Sequence, residues 1–227
     1  MGFGFPRIYP ILDASTIPAE SRAEFLLRLG GELGEAGVIL LEYRNKTGSD
    51  AEILADARIL RLAMPGPNIK LILDDRADLV EQTGFDGVHV DAGDVSPGEA
   101  RRLVGPERMV GTFGGPLQID GGFVPGVLAE PADYWAVGPV FPTQTKQTRH
   151  APIGVEGVRR LRALAGPERI LTAAGGITLA TAAEVLAAGA TSAAVSAALF
   201  RAADPAAEFR RWVAALAMGD TKEGAGY

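Results

Sequence analysis

Eight short apolar runs of β type recur along the chain: RIYPIL from Arg7, VILLEY from Val38, IKLIL from Ile69, GVHV from Gly87, RMVGTF from Arg108, DYWAV from Asp133, RILTAA from Arg169 and SAAVS from Ser192. Between most of them lie helix-length segments rich in Ala, Leu, Glu and Arg. AESRAEFLLRLGGELGEAG and LATAAEVLAAGA are examples, with apolar residues at helical spacing. Near-continuously apolar strands joined by helices predict a parallel sheet covered on its faces. Eight such units in 227 residues predict a single (β/α)8 TIM barrel, with a doubly wound open sheet as the alternative.

Three joints support the repeat. MPGPNIK, VGPERMV and AGPERIL each place Gly-Pro between helix and strand, where Gly ends a helix and Pro blocks its continuation. The fifth unit is weaker: GGPLQIDGGFVPGVLAEPA, rich in Gly and Pro, leaves room only for a short helix around Val124 to Glu130. The barrel is expected to form one catalytic domain over 1–217, and MGDTKEGAGY, 218–227, reads as a flexible tail.

Composition narrows the chemistry. With 47% hydrophobic residues the chain has material for one sizeable core, and zero cysteines exclude disulfides, thiol nucleophiles and thiolate metal sites. No run resembles a signal peptide or a membrane span, so a cytoplasmic protein is expected. The net charge of −6, without a basic tract, argues against a nucleic-acid partner. Any anion must therefore be held by a built pocket.

In a barrel that pocket forms at the C-terminal ends of the strands. Strand 2 ends in EYRNK, strand 3 in LDDR, strand 4 in HVDAGD, strand 5 in GTFGG, strand 7 in AAGGI and strand 8 at Ser196, while strand 6 opens the loop VGPVFPTQTKQTRHAPIG. Glu42, Arg44 and Lys46 alternate and would share one face; the cations suit a phosphate or diphosphate, or else they are solvated loop charges. Asp74, Asp75, Asp91 and Asp94 are hard oxygen donors of the kind that hold Mg2+, or else helix caps. His89 is either a packed strand residue or a catalytic one, and His150 a loop residue. GGI ahead of a helix, followed by Val195-Ser196, suits a phosphate facing glycine amides.

Together these residues resemble the thiamine phosphate synthase family from about Ile8 to Ala215. The resemblance implies a barrel that joins a hydroxymethylpyrimidine diphosphate to a thiazole phosphate with Mg2+, releasing diphosphate. The family's Gln-x-Arg-x-Lys falls on Glu42, Arg44 and Lys46, and its Asn-Asp on Asp74 and Asp75. The resemblance puts Mg2+ on Asp75 and Asp94. It puts the thiazole phosphate on Thr143 and Thr145, a further substrate contact on Gln144, the diphosphate on Lys146, and the phosphate cradle on Gly175, Gly176, Val195 and Ser196. With Mg2+, Arg44 and Lys146 would draw off the diphosphate, leaving a pyrimidinylmethyl cation that the thiazole nitrogen attacks; Lys46 and Thr112 complete the expected catalytic set.

Four departures mark this chain. Glu42 replaces a Gln and can accept from the pyrimidine's exocyclic amine but cannot donate to a ring nitrogen. Asp74 replaces an Asn and adds a negative charge that Mg2+ or Lys46 must offset. Asp91-Ala92 stands where the family has Gly-Gln, and TFGG replaces Ser-x-His, so Thr112 keeps a hydroxyl while Gly114 removes an imidazole. A thiazole-phosphate tautomerase, a phosphosugar isomerase and a non-catalytic thiazole phosphate binder are the alternatives. The expected partners are the two small-molecule substrates, with no membrane and a homodimer as the default assembly.

Overall fold

The computed structural model describes residues 3–91, 93–113, 130–143 and 151–220, with side chains to 217. Eight parallel strands, β1 (Ile8–Asp13), β2 (Leu40–Arg44), β3 (Lys70–Asp74), β4 (Gly87–Val90), β5 (Met109–Phe113), β6 (Tyr134–Val137), β7 (Ile170–Ala174) and β8 (Ser192–Val195), pair in sequence order and close into a barrel. Closure runs through Tyr9 opposite Ala194, and the open-sheet alternative is thereby set aside. The helices are α1 (Arg22–Glu35), α2 (Asp50–Ala63), α3 (Val80–Thr83), α4 (Pro97–Val104), α5 (Gly154–Ala165), α6 (Leu179–Ala187), α7 (Ala197–Phe200) and α8 (Pro205–Asp220). The last of these carries three residues of the expected tail as helix. The short helix expected around Val124 falls almost wholly outside the described residues.

The three Gly-Pro joints share a clamp at the N-terminal end of the barrel, where structure rather than chemistry is maintained. Arg61 of α2 pairs with Asp86 at 2.5 Å, and that carboxylate accepts from the Leu71 amide at 3.0 Å. Arg101 of α4 pairs with Asp133 at 2.5 Å, which accepts from the Val110 amide at 2.7 Å. Arg162 of α5 donates to Thr191 at 3.1 Å, whose hydroxyl accepts from the Leu171 amide at 3.1 Å. Each clamp ties a helix end to the first amides of β3, β5 or β7, which satisfies polar groups that the loops would otherwise leave exposed.

Alternation along the strands divides the core. Outward-facing Leu41, Leu71, Val88, Val110, Leu171 and Ala193 pack beneath the helices, whereas Tyr9, Leu40, Ile72, Tyr134 and Ala194 meet inside the barrel. Phe5 closes the lower mouth, its ring 5.1 Å from that of Tyr134 and 5.7 Å from that of Tyr9. Gly111 lies opposite Tyr134 in the β5–β6 register, and a Cβ there would overlap the tyrosine ring. Gly111→Ala is therefore expected to cost about 1–3 kcal/mol through overpacking. Denaturant unfolding reads that loss, and an unchanged midpoint would show that Tyr134 does not need the missing side chain.

Candidate active site

The inward positions of the strands and the loops above them line a cavity of about 400 Å³ at the C-terminal end of the barrel. One wall carries carboxylates. Asp13 ends β1, Glu42 and Arg44 alternate on β2, Asp74 ends β3, and His89 and Asp91 follow from β4. Arg44 pairs with Asp13 at 2.5 Å and approaches Asp74 at 3.4 Å. Lys46 lies beyond the end of β2, yet its ammonium reaches Asp74 at 3.2 Å and also pairs with Asp75. The two cations that alternation predicts are thus both on the acidic wall, compensating it.

Burial governs the protonation of that wall. The Asp74 carboxyl is pushed up to about 7, chiefly by burial, with Lys46 drawing it back down. Asp75 is raised by burial and by Asp94, whose carboxyl faces it within hydrogen-bonding range. Asp75 Oδ1 is buried without a hydrogen-bond partner among the described residues, whereas Asp74 Oδ2 faces the Lys46 and Arg44 cations. Carboxyl oxygens of Asp74, Asp75 and Asp91 also lie within 4.8 Å of one another. Among the described residues Lys46 is the one ammonium shared by Asp74 and Asp75, fewer cations than this group of carboxylates would need when ionised, and the hard oxygen set matches what Mg2+ takes. Asp75 is also the sole non-glycine among the described residues with positive φ, at 66°, and its amide donates to the His89 carbonyl at 2.7 Å. Such strain collects where function demands a direction the strand would not provide.

The cavity floor is a chain of hydrogen bonds across the barrel. Tyr9 donates to Glu42 at 2.6 Å, Tyr9 and Tyr134 hydroxyls are 2.7 Å apart, and the Tyr134 hydroxyl is 3.3 Å from His89 Nδ1. Burial raises the Glu42 carboxyl well above the usual range and Asp74 adds to it, while the Tyr9 hydrogen bond opposes both. Sequence reasoning singled out Glu42 and left His89 open. It missed Tyr9 and Tyr134 as partners, since their meeting depends on strands that are not neighbours.

The opposite wall is nearly neutral. Gly175 and Gly176, with φ of 91° and 68°, follow β7, and Val195 and Ser196 end β8; all four line the cavity, as does Thr143 after β6. A Cβ on Gly175 would stand 2.7 Å from Pro139, and one on Gly176 2.8 Å from the Phe141 side chain, so glycine keeps the backbone both turned and accessible. This is where a phosphate can approach main-chain amides.

One expected residue is displaced. Thr112 pairs with Val90 and shares the outward parity of Val110, so its hydroxyl is directed towards the helix layer. Phe113 takes the inward place and lines the cavity. Gln144, Thr145 and Lys146, like Gly114 and His150, lie outside the described residues. The sequence reading also missed Asp13 and Arg201 as cavity residues. Asp13 could have been found from its spacing to Tyr9 and Ile11 on β1.

A family model described as thiamine monophosphate synthase matches residues 8–199. A thiamine-phosphate synthase of Koribacter versatilis is 43% identical over 180 residues, covering 78% of this chain and 81% of that protein. One from Agrobacterium fabrum is 36% identical over 159 residues, covering 70% and 68%. Among solved structures, a thiamine phosphate pyrophosphorylase from Pyrococcus furiosus superposes with a TM-score of 0.77 at 22% identity, covering 94% of this chain and 96% of that one. At that identity the likeness bears on the fold alone. No helix among the described residues is long and apolar enough to cross a membrane.

Proposed function

From the chain's membership of the thiamine monophosphate synthase family, we propose that it joins 4-amino-2-methyl-5-pyrimidinylmethyl diphosphate to 4-methyl-5-(2-phosphoethyl)thiazole, giving thiamine phosphate and diphosphate. The observation that carries this reading is the polarity of the cavity: a carboxylate wall with two cations faces a glycine-lined wall. Two anionic groups can therefore be held on opposite sides of one space, one through cations and one through main-chain amides.

The buried, partnerless oxygen of Asp75 and its approach to Asp94 fit a divalent cation, so these two residues would hold Mg2+, with Asp74 and Asp91 beside them. Bound there, Mg2+ supplies charge stabilisation to a departing diphosphate. Arg44 and Lys46 flank the same place and add fixed positive charge. Glu42, anchored by Tyr9, presents its remaining lone pairs to the amino group of the pyrimidine. Gly175, Gly176 and Ser196, with Thr143, hold the thiazole phosphate and so aim the ring nitrogen at the methylene carbon. Gln144, Thr145 and Lys146 belong to the same loop and are assigned to the phosphates with it. Thr112 has no part in this scheme. The chemistry asks for positioning and charge stabilisation rather than for a protein nucleophile.

The proposal extends to a cytoplasmic location, a single catalytic domain over 1–217 and a homodimeric assembly. Its test is to incubate the protein with both substrates and Mg2+ and identify the products by mass. Equal amounts of thiamine phosphate and diphosphate are expected, and neither when one substrate is omitted. Diphosphate released from the pyrimidine alone, at the same rate and without coupling, would make the protein a hydrolase instead.

A further inference from the structure

Arg201 has no place in the scheme above, yet it lines the same cavity. It follows α7, a single turn of helix that begins after Ser196, and its amide closes that turn on the Ala197 carbonyl at 3.1 Å. Residues four apart share a helix face, so the Arg201 side chain lies along the face of Ala197, which itself lines the cavity. Side chains on a helix also lean towards its N-terminus, here towards Ser196.

The second observation concerns charge. The described cavity lining holds two fixed cations, Arg44 and Arg201. Arg44 is committed to Asp13 and Asp74. The Arg201 guanidinium makes no ion pair and no side-chain hydrogen bond among the described residues, and it is exposed at the mouth. The fixed cations of the acidic wall are therefore already matched by carboxylates, whereas Arg201 brings to the cavity mouth a planar, permanently charged donor that no carboxylate among the described residues matches. A guanidinium suits a phosphate monoester, which it can grip through two parallel hydrogen bonds.

We propose that Arg201 binds the phosphate of the thiazole substrate from the mouth of the cavity, opposite Gly175 and Gly176, and sets the preference for the phosphorylated thiazole over its free alcohol. This assignment rests on the synthase reading. A charge-assisted contact of this kind changes affinity by about 10–100-fold.

The test compares wild type, Arg201→Ala and Arg201→Lys in the coupling assay with thiazole phosphate and with the unphosphorylated thiazole alcohol. In Arg201→Ala the KM for thiazole phosphate should rise by about 10–100-fold, while the KM for the pyrimidine diphosphate stays within about twofold and turnover of the alcohol is unchanged. Arg201→Lys should recover part of the loss. Inorganic phosphate should compete with thiazole phosphate in wild type and do so more weakly in Arg201→Ala. An unchanged KM for thiazole phosphate, or equal losses for both substrates, would overturn the assignment. Should wild type fail to couple the substrates, the synthase reading falls. Calorimetric titration of inorganic phosphate into wild type and Arg201→Ala still decides whether Arg201 binds phosphate, and equal affinity would refute it.

Discussion

Asp75→Asn is expected to lower Mg2+-dependent formation of thiamine phosphate by about 10²-fold or more while leaving thermal stability unchanged or raised. The two halves of this prediction share a cause. Asp75 stands one residue past β3 with φ of 66°, half-buried beside Asp94 and Asp74, with one carboxyl oxygen buried and without a donor among the described residues. That arrangement costs folding energy, since burial and the facing Asp94 disfavour the ionised carboxylate by more than the Lys46 ion pair favours it. Asparagine keeps the shape and tolerates left-handed backbone better than most residues, but it removes a charge from the proposed Mg2+ site. A residue retained against stability is retained for function. Product formation and a melting curve on the same preparation read both halves. An unchanged rate would remove Asp75 from the chemistry; a large drop in melting temperature would make its role structural.

Glu42→Ala should reduce kcat/KM for the pyrimidine diphosphate by about 10–100-fold, the cost of removing a buried hydrogen-bond acceptor. The KM for thiazole phosphate should stay where it is, because Glu42 lies at the floor on the acidic side and the glycine wall stands opposite. Truncation also removes the acceptor to which Tyr9 now gives its proton at 2.6 Å, leaving the Tyr134 hydroxyl as its partner. Glu42→Gln separates the two effects: it keeps an oxygen for Tyr9 but replaces the second carboxyl oxygen by an amide that donates. It should fall between wild type and Glu42→Ala. Steady-state kinetics with each substrate varied in turn makes the comparison. An equal loss against both substrates would mean that Glu42 supports the barrel rather than reading the pyrimidine.

The barrel was legible because strands covered on both faces read as unbroken apolar runs, and all eight lie within two residues of where hydrophobicity puts them. The repeated Gly-Pro joints were legible too, though not the arginine clamps behind them, which need contacts from one unit to the next. Within the site, Glu42 and Arg44 could be read because they alternate inside β2. Lys46 and Asp75 lie past the strand ends, where alternation no longer fixes direction; they meet only because Asp75 turns back with positive φ. Thr112 shows the opposite error. TFGG offers a hydroxyl of suitable type, but the inward parity of β5 belongs to Met109, Gly111 and Phe113, as the fit of Tyr134 against Gly111 makes plain. Arg201 was out of reach of strand-end reasoning altogether, since one turn of helix carries it back to the cavity.

The central claim is that one cavity holds a metal-linked diphosphate on the carboxylate wall and a thiazole phosphate on the glycine wall. A crystal structure with Mn2+, diphosphate and thiamine phosphate, using the anomalous signal of manganese, tests it most directly. The account predicts a manganese peak between Asp75 and Asp94 in contact with diphosphate, with the phosphate of thiamine phosphate against Gly175, Gly176 and Ser196. Manganese bound away from Asp75, or the thiamine phosphate group seated among the carboxylates, would contradict it.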